Sequence, residues 1–572
     1  MKPAIASIAL ILGAFFGGVG SSPSPQPYLV ERVSIQVADG ATLSALVVRP
    51  RNMHGPLPTA FEFTIYVDAA KDLTRLQYAA DRGYAGVIAY TRGKGESPQA
   101  IVPYQYDGQD ADGVIDWIAR QPWSDGNVGM MGGSYDGFTQ WATAKFANPH
   151  LRTIVPIVPN NPGNGLPMQN NIFLLANYAW IYYVTNNKTL DAAVYDDPKW
   201  AALPMRWYRS GRPYRDVDAI AGVPNPMLHK WLEHPAYDAY WQQMSPYRRQ
   251  YAKIRIPVLT IDGYYGDSTA IGYFNDFARY NATAQNYLVA GPWDHFGSQG
   301  RQKTHVLRGY PLDAVANVDT WELTFDWFDY VMRGQSRPAL VSDRVNYEVM
   351  GENHWRHAPS LKAMGETQRF YLTAQKVSKR FYLLSSTPDS TTRFLRQRVD
   401  LADRNTENND SYPYLIVGKK PDSSDGYAFL SPPFLRPTEV SGLDGLFHVR
   451  VNKRDLDIGL ALYEMLADGK FMQLAYYTQR ASFASDMSRR VLLTPGIDAT
   501  VPFPQDYLFS RLVAKGSRLL LTVTVNKNRF AEVDYGTGKA VADEGVEDAG
   551  APMHVEWLTS SYVGLQVKER RQ

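Results

Sequence analysis

Gly132-Gly133-Ser134-Tyr135-Asp136-Gly137 stands between an apolar run, Val128-Gly129-Met130-Met131, and a helix-compatible stretch, Phe138-Thr139-Gln140-Trp141-Ala142-Thr143-Ala144. A strand that runs through glycines into a serine and straight on into a helix makes a tight, strained elbow that holds the hydroxyl clear of its backbone. On its own such a pattern is a common turn. Its chemistry depends on what else the chain supplies.

An exposed serine is a weak nucleophile near its own pKa, so it needs a histidine to take its proton and a carboxylate to orient that histidine. Both follow in order. Ile256-Pro257-Val258-Leu259-Thr260-Ile261 is a β-rich run leading into Asp262-Gly263-Tyr264-Tyr265-Gly266-Asp267, and Tyr287-Leu288-Val289-Ala290 leads into Gly291-Pro292-Trp293-Asp294-His295. Ser134, Asp267 and His295 each fall just past an expected strand, in the Ser…Asp…His order of α/β-hydrolases. Open α/β sheets place their sites along that edge. Taken singly, His295 reads as a loop histidine and Asp267 as a turn or N-cap residue before Ala270 to Tyr280. Together they select a catalytic triad. Asp267 is preferred as the acid because its interval to His295 fits one helix and one strand. Asp262, expected inside the strand, is the runner-up.

Further segments carry a family resemblance: Arg92-Gly93-Lys94-Gly95-Glu96-Ser97, Asp107-Gly108, Asp112-Gly113-Val114-Ile115-Asp116-Trp117-Ile118-Ala119 and Gln121-Pro122-Trp123-Ser124. With the serine motif and Gly291-Pro292-Trp293-Asp294-His295, they resemble the cocaine-esterase and X-Pro dipeptidyl-peptidase superfamily of serine hydrolases. The likeness spans nearly the whole chain after its leader. It implies a jelly-roll domain after the hydrolase domain and a tyrosine hydroxyl as second oxyanion donor. Thr64-Ile65-Tyr66 matches the family's Thr-Pro-Tyr-like segment except that Ile65 replaces proline, which makes Tyr66 the candidate. The first donor is the backbone N–H of Tyr135, the residue after the nucleophile. Two departures bear on substrate. Amino-acid ester hydrolases of the superfamily follow the acid with further carboxylates, whereas Ser268, Thr269 and Ala270 follow Asp267. Gly266 also intervenes between the aromatic pair Tyr264-Tyr265 and Asp267.

At 572 residues the length suggests about three or four domains. A formal net charge of +2 argues against nucleic acid as a partner. Lys2, the apolar stretch Ala4 to Phe16 and the small residues Gly17 to Ser22 form the pattern of a secretory signal, residues 1–21, with cleavage near Gly20 or Ser22. That places the enzyme outside the cell or in a periplasm, with no stable membrane insertion after cleavage. The chain has no cysteine, which excludes disulfides, a lipoprotein anchor and a thiolate nucleophile.

Ser21 to Pro27 reads as a Pro/Ser tether. Residues 28–160 and 246–335 alternate strand and helix as an α/β-hydrolase domain, and residues 161–245 read as an aromatic-rich helical cap. Residues 340–572 read as an all-β jelly-roll sandwich. Its short β-rich runs are Asn346 to Met350, Arg369 to Leu372, Leu446 to Val451, Gly459 to Leu466, Gln473 to Thr478 and Arg518 to Val525. Its expected role is packing against the catalytic domain. His354-Trp355-Arg356-His357 lacks a third ligand cluster and reads as surface histidines rather than metal ligands. Arg92-Gly93-Lys94-Gly95 lacks P-loop spacing and reads as the turn after the strand Gly86 to Tyr90.

The expectation is a serine hydrolase acting on small-molecule esters or amides or on peptides through an acyl-enzyme, with no cofactor. The alternatives are an X-Pro dipeptidyl-peptidase, with Asp136 or Glu233 as candidates to hold a substrate amino terminus, and a non-catalytic binding protein on a hydrolase scaffold. Oligomeric state stays open, homo-oligomers included.

Overall fold

The computed structural model describes residues 27–190, 194, 197–266, 269–300, 304–409, 415–421 and 425–570. The expected leader and Asp267 lie outside these residues.

Chain order through the first half is β1 (Tyr28–Gln36), β2 (Thr42–Pro50), β3 (Leu57–Thr64), α1 (Ala69–Asp81), β4 (Ala85–Tyr90), α2 (Asp107–Ala119), β5 (Ser124–Gly133), α3 (Tyr135–Ala144) and β6 (Leu151–Ile157). The strands Val258–Tyr265 and Asn286–Asp294 follow after an insertion. β1, β2, β4, β3, β5 and β6 lie side by side in that order, and the later pair continues the same sheet. From β4 onward these strands run parallel. Parallel strands buried on both faces read as continuous apolar runs, and β4 is buried at all six positions. Their shared direction brings the ends of β3, β5 and the two later strands to one edge.

Arg92, just past β4, holds Asp110 of α2 through Nε and Nη2 at 2.6 and 2.7 Å and reaches Asp39 at 2.6 Å. The loop that superficially resembles a phosphate cradle is therefore a clamp between sheet and helix. Lys94 is buried in the same loop, and its Nζ donates to the carbonyls of Val184 and Asn187 at 2.9 and 3.0 Å. Burial without a carboxylate partner lowers its pKa to about 8.

Between β6 and Val258–Tyr265 the chain forms a helical cap that includes α4 (Ala176–Thr185) and the helices Pro198–Ser210, Val217–Ala221 and Pro226–Leu232. Prolines open two of these, where a missing N–H costs nothing. Among the described residues no helix is long and apolar enough to cross a membrane.

One expectation is corrected here. The run Asn346 to Met350, assigned from sequence to the β domain, belongs to the α/β sheet. Val345–Val349 pairs in parallel with Leu288–Ala290, and His354–Ala358 closes the sheet as an antiparallel edge. A strand buried at every position looks the same in sequence whichever sheet receives it. His354 and His357 are exposed on that edge strand, and no metal-binding group is found among the described residues.

The remaining β-rich runs form an all-β sandwich. Thr438–Val451 is its spine, pairing along its length with Ser510–Val513, Asp498–Phe503, Met553–Leu558 and Tyr562–Glu569. The sandwich braces the cap: Leu175 N–H donates to Phe530 O at 2.7 Å, and Glu532 N–H to Phe173 O at 3.0 Å. Fully buried Arg480 crosses the boundary, bidentate to Asp457 at 2.8 Å and bonded to Glu532 at 2.8 Å and to Asn171 O at 2.6 Å.

Candidate active site

Ser134 links β5 to α3 with φ 60° and ψ −116°, a conformation that a non-glycine residue holds only when its surroundings over-determine it. Gly132 has φ +126°, and a Cβ there would lie 2.6 Å from the Asp136 Cβ. The turn thus depends on a residue without a side chain. Within Gly132 to Gly137 every residue is buried except Ser134, which is half-buried. The elbow projects one hydroxyl.

Tyr135 begins α3, so its N–H has no acceptor within the helix. Its side chain is locked below the elbow: the hydroxyl donates to Asp107 Oδ2 at 2.9 Å and accepts from Tyr104 N–H at 2.9 Å. Thr91 donates to the other Asp107 oxygen at 2.6 Å. Burial nevertheless outweighs these bonds and raises the Asp107 pKa to about 7.

Tyr66 lies two residues past β3, with its N–H donating to Thr64 Oγ1 at 3.0 Å. Its hydroxyl accepts from Trp180 Nε1 at 3.0 Å and interacts with the Ser134 hydroxyl. Burial, reinforced by the Asp136 carboxyl, pushes the phenol well above its usual range, so it remains a proton donor. The sequence singles out Tyr66 but not Trp180, 114 positions away.

His295 follows the strand Asn286–Asp294, and its Nδ1 lies 2.8 Å from Gly266 O. A carbonyl only accepts, so this contact places a hydrogen on Nδ1. Gln299 Nε2 donates to His295 O at 2.9 Å. The Gln299 carboxamide lies so close to Gly133 that a Cβ there would come within 2.3 Å of its oxygen. The histidine loop is thereby seated against the residue preceding Ser134. Asp262 lies within Val258–Tyr265, buried and in register with Ala290, whereas Tyr265 is the residue aligned with Asp294. His295 thus neighbours the end of that strand, where Gly266 precedes Asp267.

Asp136 is buried beside Glu62 of β3. Arg75 pairs with Glu62 at 2.7 Å and with Asp72 at 2.7 Å, and Tyr90 donates to Asp72 at 2.8 Å. Burial followed by the Glu62 charge pushes the Asp136 carboxyl far above the carboxylate range. The composition of this group explains why: three buried carboxyls share one guanidinium. Asp136 is therefore part of the foundation of the elbow, not a ligand for a substrate amino group. Glu233, the other candidate for that role, is exposed at the end of Pro226–Leu232.

The cap packs aromatic rings against this region: Tyr104, in the loop after β4, stacks on Tyr135 with centroids 4.9 Å apart and on Trp180 of the cap at 5.7 Å, while Trp231 of the cap lies 5.8 Å from it.

Comparisons with known proteins agree with this architecture. Residues 39–297 match the X-Pro dipeptidyl-peptidase (S15 family) model, and residues 341–545 match the X-Pro dipeptidyl-peptidase C-terminal non-catalytic domain. The chain is 25% identical over 559 residues to the cocaine esterase of Rhodococcus sp. (strain MB1 Bresler), covering 91% of this chain and 94% of that one. In structure it is similar to an α-amino acid ester hydrolase, with TM-score 0.77, 19% identity and coverage of 96% of this chain and 98% of that one. It is also similar to an aminopeptidase from a marine sediment archaeon, Thaumarchaeota archaeon, with TM-score 0.79, 16% identity and the same coverages.

Proposed function

We propose, from the premise that this chain belongs to the X-Pro dipeptidyl-peptidase and cocaine-esterase superfamily of serine hydrolases, that it cleaves an ester or amide through an acyl-enzyme on Ser134. The observation that carries this reading is the half-buried Ser134 hydroxyl, held at a strained elbow against the Tyr66 hydroxyl.

In this mechanism Ser134 Oγ attacks the substrate carbonyl carbon as its proton passes to His295 Nε2. The carbonyl π electrons move onto oxygen, and that oxyanion accepts from Tyr66 Oη–H and Tyr135 N–H. His295 then protonates the departing alcohol or amine. Water, deprotonated by the same nitrogen, releases the acid and restores Ser134. Asp267 is the acid assigned to orient His295, with the Gly266 carbonyl at Nδ1 supporting the same tautomer.

Two features favour a substrate without an ammonium group. Asp136 is committed to the buried pair with Glu62, and Thr269 and Ala270, rather than carboxylates, open the helix after the acid. Simple esters and amides are therefore preferred over N-terminal dipeptides. The apolar stretch Ala4 to Phe16 supports export of the enzyme.

Fluorophosphonate labelling, followed by turnover of an aryl acetate and of Gly-Pro-p-nitroanilide, tests the reading. Labelling at Ser134 with faster turnover of the ester is expected. Absence of labelling in folded protein would refute the mechanism, and faster release of Gly-Pro would refute the substrate assignment.

A further inference from the structure

The Trp180 indole and the Tyr66 hydroxyl join the helical cap to the candidate oxyanion hole. Trp180 Nε1 donates to Tyr66 Oη at 3.0 Å, and the two residues come from α4 and from the loop after β3. An indole N–H can only donate. The Tyr66 oxygen is therefore the acceptor of this bond, and its own hydrogen has to turn away from the indole N–H. Accepting the indole bond also polarises the phenol and makes its own hydrogen a stronger donor.

We propose that Trp180 is a positioning residue for acyl transfer: it orients and polarises Tyr66 without touching the substrate carbonyl, so that the oxyanion hole is complete only when α4 is seated. This inference rests on Tyr66 as an oxyanion donor, the reading given above.

The seating of α4 is built into both of its ends. Before its first turn, the Leu175 N–H bonds Phe530 O of the β sandwich at 2.7 Å. At its last turn, Lys94 Nζ bonds the carbonyls of Val184 and Asn187. Lys188 Nζ then donates to Ser97 O at 2.7 Å, and Gly95 N–H donates to Lys188 O at 2.9 Å. The Arg92 to Ser97 loop and the β sandwich thus fix the helix whose indole sets Tyr66. Stacking of Trp180 on Tyr104 at 5.7 Å and near Tyr135 at 6.0 Å fixes the ring plane.

The test is a double-mutant cycle between positions 180 and 66, read as the single-turnover acylation rate with p-nitrophenyl acetate and as the rate of fluorophosphonate labelling. Trp180→Phe removes the donor but also trims the stack. A second variant therefore carries β-(3-benzothienyl)alanine at 180, which exchanges only the N–H for sulfur. Loss of one neutral hydrogen bond corresponds to about a three- to tenfold slower acylation, with substrate affinity changed by less than about twofold. In a Tyr66→Phe background the same replacement is expected to change the rate by less than about twofold, because the hydroxyl it acts on is gone. Wild-type acylation by the benzothienyl variant, or an equal loss in both backgrounds, would overturn the proposal. If Tyr66→Phe alone acylates at the wild-type rate, the oxyanion assignment itself falls and takes this inference with it. A slow Tyr66→Phe beside a full-speed benzothienyl variant overturns this inference alone.

Discussion

Replacing Asp107 by asparagine should remove a pH dependence from stability while leaving the fold intact. Asp107 is fully buried beneath the elbow, and burial raises its pKa from 3.8 to about 7 despite donors from Thr91 and Tyr135. The folded protein therefore holds this proton more tightly than the unfolded chain does. Below about pH 4 both states keep it, and no stability is lost. As pH rises to 7 the unfolded chain releases it first, so stability falls through that window and then levels off. The gap from 3.8 to about 7 corresponds to about 4 kcal/mol, of which about 3 kcal/mol falls between pH 5 and 8. Asparagine cannot ionise, and its carbonyl can accept from Tyr135 while its amide donates to Thr91 Oγ1. Urea unfolding of both proteins at pH 5 and pH 8, followed by tryptophan fluorescence, gives the stability difference at each pH. Subtraction cancels the other titrating groups. The variant is expected to gain about 3 kcal/mol relative to wild type on going from pH 5 to pH 8. A difference that stays constant with pH would mean that Asp107 is ionised throughout and that burial has been overweighted.

Ser134→Ala and His295→Ala are each expected to lower turnover of an aryl ester by on the order of a million-fold with unchanged circular dichroism, because members of a triad act as a unit; near-normal activity in either would end the mechanism. Asp267→Asn should slow turnover by up to roughly ten-thousand-fold by removing the carboxylate charge that stabilises the imidazolium, whereas Asp262→Asn should act on thermal stability; a reversed pair of results would move the acid to Asp262. Arg480→Met leaves the buried Asp457 and Glu532 without their counter-ion and should destabilise the protein by roughly 3–5 kcal/mol, and an unchanged urea midpoint would contradict this.

The elbow was legible because strand, turn and helix lie within a few residues of one another, so Gly132 to Gly137 announces its own geometry. His295 was legible for the same reason, closing a parallel strand at the edge where such sheets gather their chemistry. What supports these residues is non-local and left no local signal. Glu62, Asp72, Arg75 and Asp136 come from a strand and two helices, and nothing in their spacing distinguishes a buried charge network from solvated side chains. Lys94 is buried in a loop whose glycines suggest exposure, because its partners are carbonyls at the far end of a cap helix. Trp180 stands in a stretch so crowded with aromatic residues that none is singled out by periodicity, and only the folded chain selects the indole that meets Tyr66. This division has a physical basis. The groups that the proposed mechanism uses for attack and proton transfer occupy strand ends, where backbone direction fixes them, so short motifs reveal them. The strength of an oxyanion donor depends on the second hydrogen bond made by its hydroxyl. For Tyr66, the proposed donor, that bond comes from the cap, the part of the chain with no strand rhythm. Acylation rate, rather than substrate affinity, is therefore expected to respond to residues that move α4 relative to β3, with Ser134 and His295 left untouched.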